Sequence, residues 1–123
     1  MTTYAVLLPG DESYWDTASA GEREAGYARH EAFAKALAER GHVVTGGAEL
    51  THSRNTRVVR RAGDELTVTE GPYAETTEQL TGFYLVQSDD LDDLIEICKI
   101  LSPLEGAIEV RACVDHSAGD STD

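Results

Sequence analysis

Two segments with helical periodicity, each set between segments that alternate like β-strands, most constrain the fold of this chain. The first spans residues 19–40, is rich in Ala, Glu and Arg, and is followed by Gly41, which is typical of a helix with a glycine C-cap. The second follows Asp89 or Asp90, either of which is a suitable N-cap. Its apolar side chains recur at helical spacing and are Leu91, Leu94, Ile95, Cys98 and Leu101.

Six segments with strand character surround these helices. They comprise residues 3–8, 42–50, 56–61, 65–70, 82–88 and 107–114. In the second of them, Gly46 and Gly47 predict a bulge or a close approach of two backbones. The third and fourth flank residues 62–64, which contain a glycine and an aspartate, and this pattern predicts a β-hairpin.

The order of these elements predicts an α+β fold of the ferredoxin-like split βαβ type with an inserted β-hairpin. In such a fold an antiparallel sheet carries both helices on one face. The other face also carries apolar residues and needs a cover. In a chain of 123 residues the expected cover is the sheet of a second copy, so we predict a homodimer that forms through the sheet face.

Length and charge limit the class of protein further. The chain is long enough for one domain, predicted over residues 1–114, and residues 115–123 form an acidic tail that is predicted to be disordered. Ten Lys and Arg stand against 23 Asp and Glu, and the net charge of −13 repels both nucleic acid and an anionic membrane surface. Without an apolar run of membrane-spanning length or a basic leader, the predicted location is the cytoplasm.

His30 is the histidine whose predicted position is most unusual. At about 100° per residue it falls on one stripe of the first helix, where the helix should meet the sheet. The other members of this stripe are Gly26, Tyr27, Phe33, Ala34 and Leu37. Taken alone, the position is more typical of a core histidine that donates to a backbone carbonyl than of a catalytic base.

The remaining histidines and the two cysteines predict no metal site. His42 starts a strand, His52 lies in a polar turn and His116 lies in the tail, without the short spacings that bring metal ligands together. Cys98 and Cys113 are expected to be buried, reduced thiols. No cofactor is implied by any motif of the chain.

Residues 68–86, VTEGPYAETTEQLTGFYLV, place several acidic and aromatic side chains between two predicted strands. Thr76, Gln79 and Gly82 predict a short capped turn that follows the Gly-Pro reversal. Glu70, Tyr73 and Glu75 would then lie near the mouth of the sheet, where a carboxylate can orient a histidine or carry a proton. Glu78 in the same stretch is expected to be a solvated surface residue.

The stretch EGPYAETTEQLTGFYLV resembles the signature D-G-P-F-A-E-(T/S)-K-E-x-(L/I)-x-G-(F/Y)-x-(L/I) of the DGPF subgroup of the YCII-related family. Glu70 stands where that signature has Asp, and Tyr73 where it has Phe. The order of strands and helices extends the similarity from about Tyr4 to Val114. The resemblance implies a dimeric α+β barrel with a cleft between sheet and helix. It also implies an acid–base site of a helix histidine, matched by His30, and an aspartate, for which Glu70 is the best match.

Together these observations favour a small homodimeric enzyme that carries out proton transfer, elimination or isomerisation on a small organic molecule, that is, a lyase or isomerase without a cofactor. In this hypothesis His30 is the general base and Glu70 orients it or serves as the acid. Tyr73 and Tyr84 are candidate donors to a developing oxyanion, and Glu75 is a further binding candidate. One alternative is a non-catalytic homodimer that binds a small molecule or regulates a partner. Another is a haem or metal oxygenase with His30 or His42 as the axial ligand.

Overall fold

The structure is a computed structural model that describes residues 1–102 and 106–117. Its elements, in chain order, are β1 (Thr2–Asp11), α1 (Glu12–Thr17), α2 (Ala20–Glu39), β2 (Val43–Glu49), β3 (Arg57–Ala62), β4 (Glu65–Glu70), β5 (Glu78–Ser88), α3 (Leu91–Cys98) and β6 (Glu109–Ala112). Single 3₁₀ turns cover Ser53–Asn55 and Lys99–Leu101. Part of the predicted acidic tail, residues 118–123, lies outside the described residues.

Four strands form one antiparallel sheet in the order β2-β5-β1-β6, and β3 pairs with β4 in a separate two-stranded ribbon. Each of the two central strands, β1 and β5, is followed by a helical connection, as the split βαβ pattern requires. This arrangement confirms the predicted ferredoxin-like α+β fold with an inserted hairpin. No helix in the described part of the chain is long and apolar enough to cross a membrane.

The hydrophobic core lies between one face of the sheet and the helices α2 and α3. Its buried members are Val6, Leu8, Phe33, Leu37, Val86, Leu94, Ile97, Cys98 and Leu101. Each large aliphatic or aromatic side chain buried here stabilises the fold by roughly 1.5–3 kcal/mol relative to exposure. In α3 the stripe of buried residues includes Ile97, whereas Leu91 and Ile95 are 38% and 41% exposed, so the predicted phase of this helix is only partly right.

The predicted first helix is confirmed as α2, and its ends follow the expected chemistry. Ser19 caps the helix by accepting from the Glu22 N–H, and the Glu22 carboxylate accepts from the Ser19 N–H in return. Hydrogen bonds to the Glu22 carboxylate from the backbone N–H and then the hydroxyl of Ser19 hold the pKa of Glu22 below its usual value. After the C-cap residue Arg40, Gly41 takes a φ of 86°, a conformation that favours glycine.

A buried polar network ties the end of α2 to β5 and α3, and His42 is its centre. The His42 ring is 6% exposed. Its Nδ1 lies 2.9 Å from the Ser88 Oγ and its Nε2 lies 2.7 Å from the Asp93 carboxylate, which also pairs with Arg40. Asp90 donates its backbone N–H to the same Ser88 hydroxyl. Because both ring nitrogens are engaged, His42 is the structural histidine of this fold.

The helix α1 directly follows β1, and the sequence patterns did not predict it. Asp11 caps it by accepting from the Ser13 N–H at 2.9 Å. The helix rests on α2 through Trp15, whose indole lies over Gly26 so closely that a Cβ there would be 2.5 Å from the Trp15 Cη2. A glycine at this point lets the two helices meet.

The capped turn that was predicted at Thr76, Gln79 and Gly82 is wrong. Residues from Glu78 onward belong to β5, because β1 continues beyond Leu8 to Asp11 and pairs with them. The side chains still stabilise the preceding loop, since the Gln79 Nε2 donates to the Ala74 carbonyl at 2.7 Å and to the Thr76 carbonyl at 3.3 Å.

The prediction that both cysteines are buried is right for Cys98 and wrong for Cys113, which is exposed. Burial raises the pKa of the Cys98 thiol to about 11, so this thiol stays protonated in the folded protein at neutral and mildly alkaline pH.

At about pH 8 we expect Cys113 alone to react with a disulfide reagent, and Cys98 to react only after denaturant is added. Thiol titration with and without denaturant measures this, and rapid reaction of two thiols in the folded protein would contradict it.

Gly26→Ala should move the Trp15 indole, because the new methyl group and the ring cannot occupy the same space. Trp15 is the one tryptophan of the sequence, so its fluorescence emission reports the movement directly. Gly21→Ala is the matched control, since it lies on the same helix with its nearest atom, the Ser19 Oγ, 3.9 Å from the added Cβ. Both changes raise helix propensity by roughly 1 kcal/mol. Emission that is the same in both variants would rule out this packing.

Candidate functional site

A cavity of about 400 Å³ lies at the junction of α1, α2, the end of β2 and the middle of β5. This volume is within the range of small-molecule sites, which is roughly 300–1,000 Å³. Aromatic side chains from three elements line the cavity, namely Trp15, Tyr27, Phe83 and Tyr84. The predicted cleft between sheet and helix is therefore present within a single chain.

His30 lines this cavity and is half-buried. Its Nδ1 lies 2.7 Å from the hydroxyl oxygen of Tyr84, which also lines the cavity. The Tyr84 ring also packs against Phe33, with ring centroids 5.0 Å apart. The structure thus brings together two of the predicted site residues, His30 from α2 and Tyr84 from β5.

The other predicted site residues lie elsewhere. Glu70, at the end of β4, has a side chain that is 79% exposed, and its carboxylate lies 3.6 Å from the Arg57 guanidinium. Tyr73 is 75% exposed and lies under the Arg60 guanidinium, 4.7 Å from the ring centroid. Neither residue lines the cavity. The ribbon of β3 and β4 is separate from the sheet, which is why the structure does not bring Glu70 to His30, and that pair stays a prediction.

Glu75 borders a second, more open depression, which also includes Glu12 and His52. These two residues line both the depression and the main cavity. Glu75 is therefore next to the site but outside the cavity that contains His30.

A second group of polar side chains in the cavity was missed by the sequence analysis and consists of Glu12, Asp16 and His52. The His52 Nε2 lies 3.3 Å from the Asp16 carboxylate and 3.7 Å from that of Glu12. The His52 Nδ1 accepts from the Arg54 N–H at 3.0 Å. A backbone N–H can only donate, so Nδ1 carries no proton and Nε2 is the protonated nitrogen that faces the two carboxylates.

Glu12 is held firmly within this group. Its carboxylate accepts from the Ser53 N–H at 2.7 Å and from the Ser53 hydroxyl at 2.5 Å, and its side chain is only 13% exposed. These bonds join α1 to the 3₁₀ turn at residues 53–55. The group could not be predicted because His52 lies about forty positions after Glu12 and Asp16, and because α1 gave no periodic signal.

Tyr27 and Glu49 connect α2 to β2 at the same cavity. The Tyr27 hydroxyl lies 3.3 and 3.4 Å from the two Glu49 carboxylate oxygens. The helical periodicity predicted that Tyr27 faces the core, but its side chain is 54% exposed and borders the cavity instead.

The predicted close approach at Gly46 and Gly47 is confirmed, and it shapes one wall of the cavity. The pairing of β2 with β5 changes register between Val44 and Gly46. Gly47 has a φ of 146°, and a Cβ there would lie 2.5 Å from the Phe83 carbonyl oxygen. Only glycine allows the two backbones to approach so closely beside the site.

The described residues, 1–102 and 106–117, contain no group of three or more His, Cys, Asp or Glu side chains arranged to hold a metal ion. His42 is unsuitable as the axial ligand of a haem or metal, because both of its nitrogens are bound within the core network. That part of the oxygenase alternative is wrong.

Comparison with known proteins agrees with this architecture. Residues 3–117 match the model of the YCII-related domain. The chain is also 33% identical over 120 residues to the Uncharacterized protein R00369 of Rhizobium meliloti (strain 1021), an alignment that covers 95% of this chain and 96% of the relative. By both measures the chain belongs to the YCII-related family.

Proposed function

We propose that the protein is a small acid–base enzyme that carries out proton transfer, elimination or isomerisation on a small organic molecule. The observation that carries this proposal is the contact of 2.7 Å between the His30 Nδ1 and the Tyr84 hydroxyl inside the cavity. Both side chains border space that a substrate of modest size would fill. The role of His30 as general base, first inferred from its helical position and the family resemblance, is consistent with this geometry.

The His30–Tyr84 pair can transfer a proton in either of two tautomers. If the Tyr84 hydroxyl donates to Nδ1, the imidazole withdraws the phenolic proton as the tyrosine oxygen takes one from the substrate. If Nδ1 carries the proton and donates to the tyrosine oxygen, the Tyr84 hydroxyl is oriented to donate to a negative charge that develops on a substrate oxygen. The first arrangement supplies the base that removes a proton next to an electron-withdrawing group, and the second supplies an acid for the substrate oxygen.

A homodimer remains part of the proposal, formed by the sheet face opposite the helices. Alternation along the central strands places Ala5 and Leu7 of β1 and Leu85 of β5 on that face, opposite the buried Val6, Leu8 and Val86. These side chains are partly exposed in a single chain. A second copy would cover them through the same patch, as a two-fold interface requires.

Tyr84→Phe and His30→Gln are expected to lower turnover while the cavity still binds ligand. A thermal-shift screen of small metabolites identifies a ligand, and turnover is then measured on that compound. Loss of a general acid–base group should reduce kcat about 10²–10⁴-fold for His30→Gln, and at least roughly tenfold, about 1.4 kcal/mol, for Tyr84→Phe.

Two matched controls separate this effect from a general loss of structure. Tyr73→Phe makes the same change at an exposed tyrosine outside the cavity, and His42→Gln disrupts the buried network. We expect Tyr73→Phe to leave turnover unchanged and His42→Gln to lower the melting temperature. If the parent binds the compound without turnover, the cavity belongs to a non-catalytic ligand-binding protein, and full activity in Tyr84→Phe would refute the role of the pair.

Light scattering at micromolar concentration should give the mass of a dimer. Leu85→Glu is expected to yield a monomer, because it introduces a charge at the centre of the proposed interface. Leu91→Glu on α3, which is 38% exposed on the helical side, should remain dimeric. A parent protein that stays monomeric at these concentrations would contradict the sheet-face dimer.

A further inference from the structure

We infer that the cavity selects a ligand with a positively charged amine on an aromatic or apolar body, and discriminates against a carboxylate or phosphate of similar shape. This inference rests on the proposed function in that it concerns the same cavity. It depends on the charges around that cavity and makes no use of the His30–Tyr84 chemistry.

The charged residues that line the cavity are of one sign. Glu12 and Asp16 from α1 and Glu49 from β2 are its carboxylates, and within the described chain none of its lining residues is Lys or Arg. Of the two lining histidines, His52 accepts a backbone N–H at its Nδ1, so this nitrogen carries no proton and the His52 ring adds no positive charge.

The partners of these carboxylates do not neutralise them. Glu12 is bound by the backbone N–H and hydroxyl of Ser53, and Glu49 by the Tyr27 hydroxyl. These donors are uncharged and therefore leave the negative charge of each carboxylate in place. The cation nearest to the group is Arg54, whose Nη1 lies 4.0 Å from the Asp16 carboxylate. Both of those side chains are about half exposed or more, so water screens the pair.

The low exposure of Glu12 makes the negative potential effective inside the cavity. A carboxylate whose side chain is 13% exposed acts in a medium of lower dielectric than a surface carboxylate does. A ligand anion would meet this potential without a compensating cation, whereas an ammonium group would gain from it. The net charge of −13 has the same sign and favours the approach of cations.

The aromatic walls favour the same class of ligand. Trp15 and Tyr27 border the cavity together with the carboxylates. The face of an indole or phenol ring attracts an organic cation that lies within about 6 Å of its centroid. An aromatic or aliphatic body attached to the amine would also cover Leu8 and Leu50, which line the cavity.

The test uses two matched sets of probes that differ mainly in charge. The first set is tyramine, 4-propylphenol and 4-hydroxyphenylacetate, and the second is tryptamine, 3-propylindole and indole-3-acetate. Isothermal titration calorimetry measures the affinity of each probe for the full chain. We expect the amine of at least one set to bind at least about tenfold more tightly than the corresponding acid, with the uncharged compound between them. Raising the ionic strength should reduce this preference.

Charge-neutral variants identify the source of the preference. Asp16→Asn and Glu49→Gln should each reduce the ratio of amine to acid affinity several-fold, and should change the affinity of the uncharged compound little. Asp64→Asn is the control, because it removes one negative charge from the turn between β3 and β4, outside the cavity.

The outcomes separate this inference from the proposed enzyme function. If neither amine binds, if in both sets the acid binds as tightly as its amine, or if Asp64→Asn changes the ratio as much as Glu49→Gln does, the inference is overturned. His30→Gln should keep the preference for the amine whether or not the protein is an enzyme, so a loss of turnover in that variant does not affect this result.

Discussion

The antiparallel pairing of β1 with β5 is the interaction on which the rest of the structure depends. It runs along all ten residues of β1, from Thr2 to Asp11, with one irregularity between Leu8 and Pro9. Alternate residues of β5, which share the face toward the helices, then serve different purposes: Tyr84 contacts His30, Val86 enters the core and Ser88 joins the network of His42. A shift of this register by one residue would turn each of these side chains to the opposite face.

The same pairing explains the position of the cavity. Because β1 extends to Asp11, the helix α1 begins directly at the end of this central strand, and it rests on α2. Trp15 can lie against α2 only because Gly26 has no side chain. The wall of the cavity that β2 and β5 form depends on Gly47, where these two strands approach each other closely. Two glycines and one long strand therefore create a concave site beside the hydrophobic core, with Leu8 belonging to both.

Periodicity was sufficient to predict the order of elements, the α2 helix and its caps, and the close approach at Gly46 and Gly47, since each of these is specified by neighbouring residues. It also placed His30 on the face that meets β5. It failed where an outcome depends on distant contacts: α1 has six residues and no repeating pattern, and the carboxylates of Glu12 and Asp16 meet His52 only after the chain has folded. The position of Glu70 depends on the direction in which the β3–β4 ribbon leaves the sheet, and no local pattern determines that direction. The assignment of the chain to the DGPF subgroup stays a prediction.

His42 and His30 illustrate different uses of the same side chain. His42 is enclosed, with Ser88 and Asp93 on its two nitrogens, and these bonds join the end of α2 to β5 and α3. His30 is half-buried beside open space, and its contact with a tyrosine hydroxyl lies within the cavity, where the proposed function places proton transfer. The carboxylates of the cavity add to this contrast. An amine that is held by Glu12, Asp16 or Glu49 would be anchored through its charge. The remainder of the molecule would then be free to meet the His30–Tyr84 pair, so binding and proton transfer would use different residues of one site.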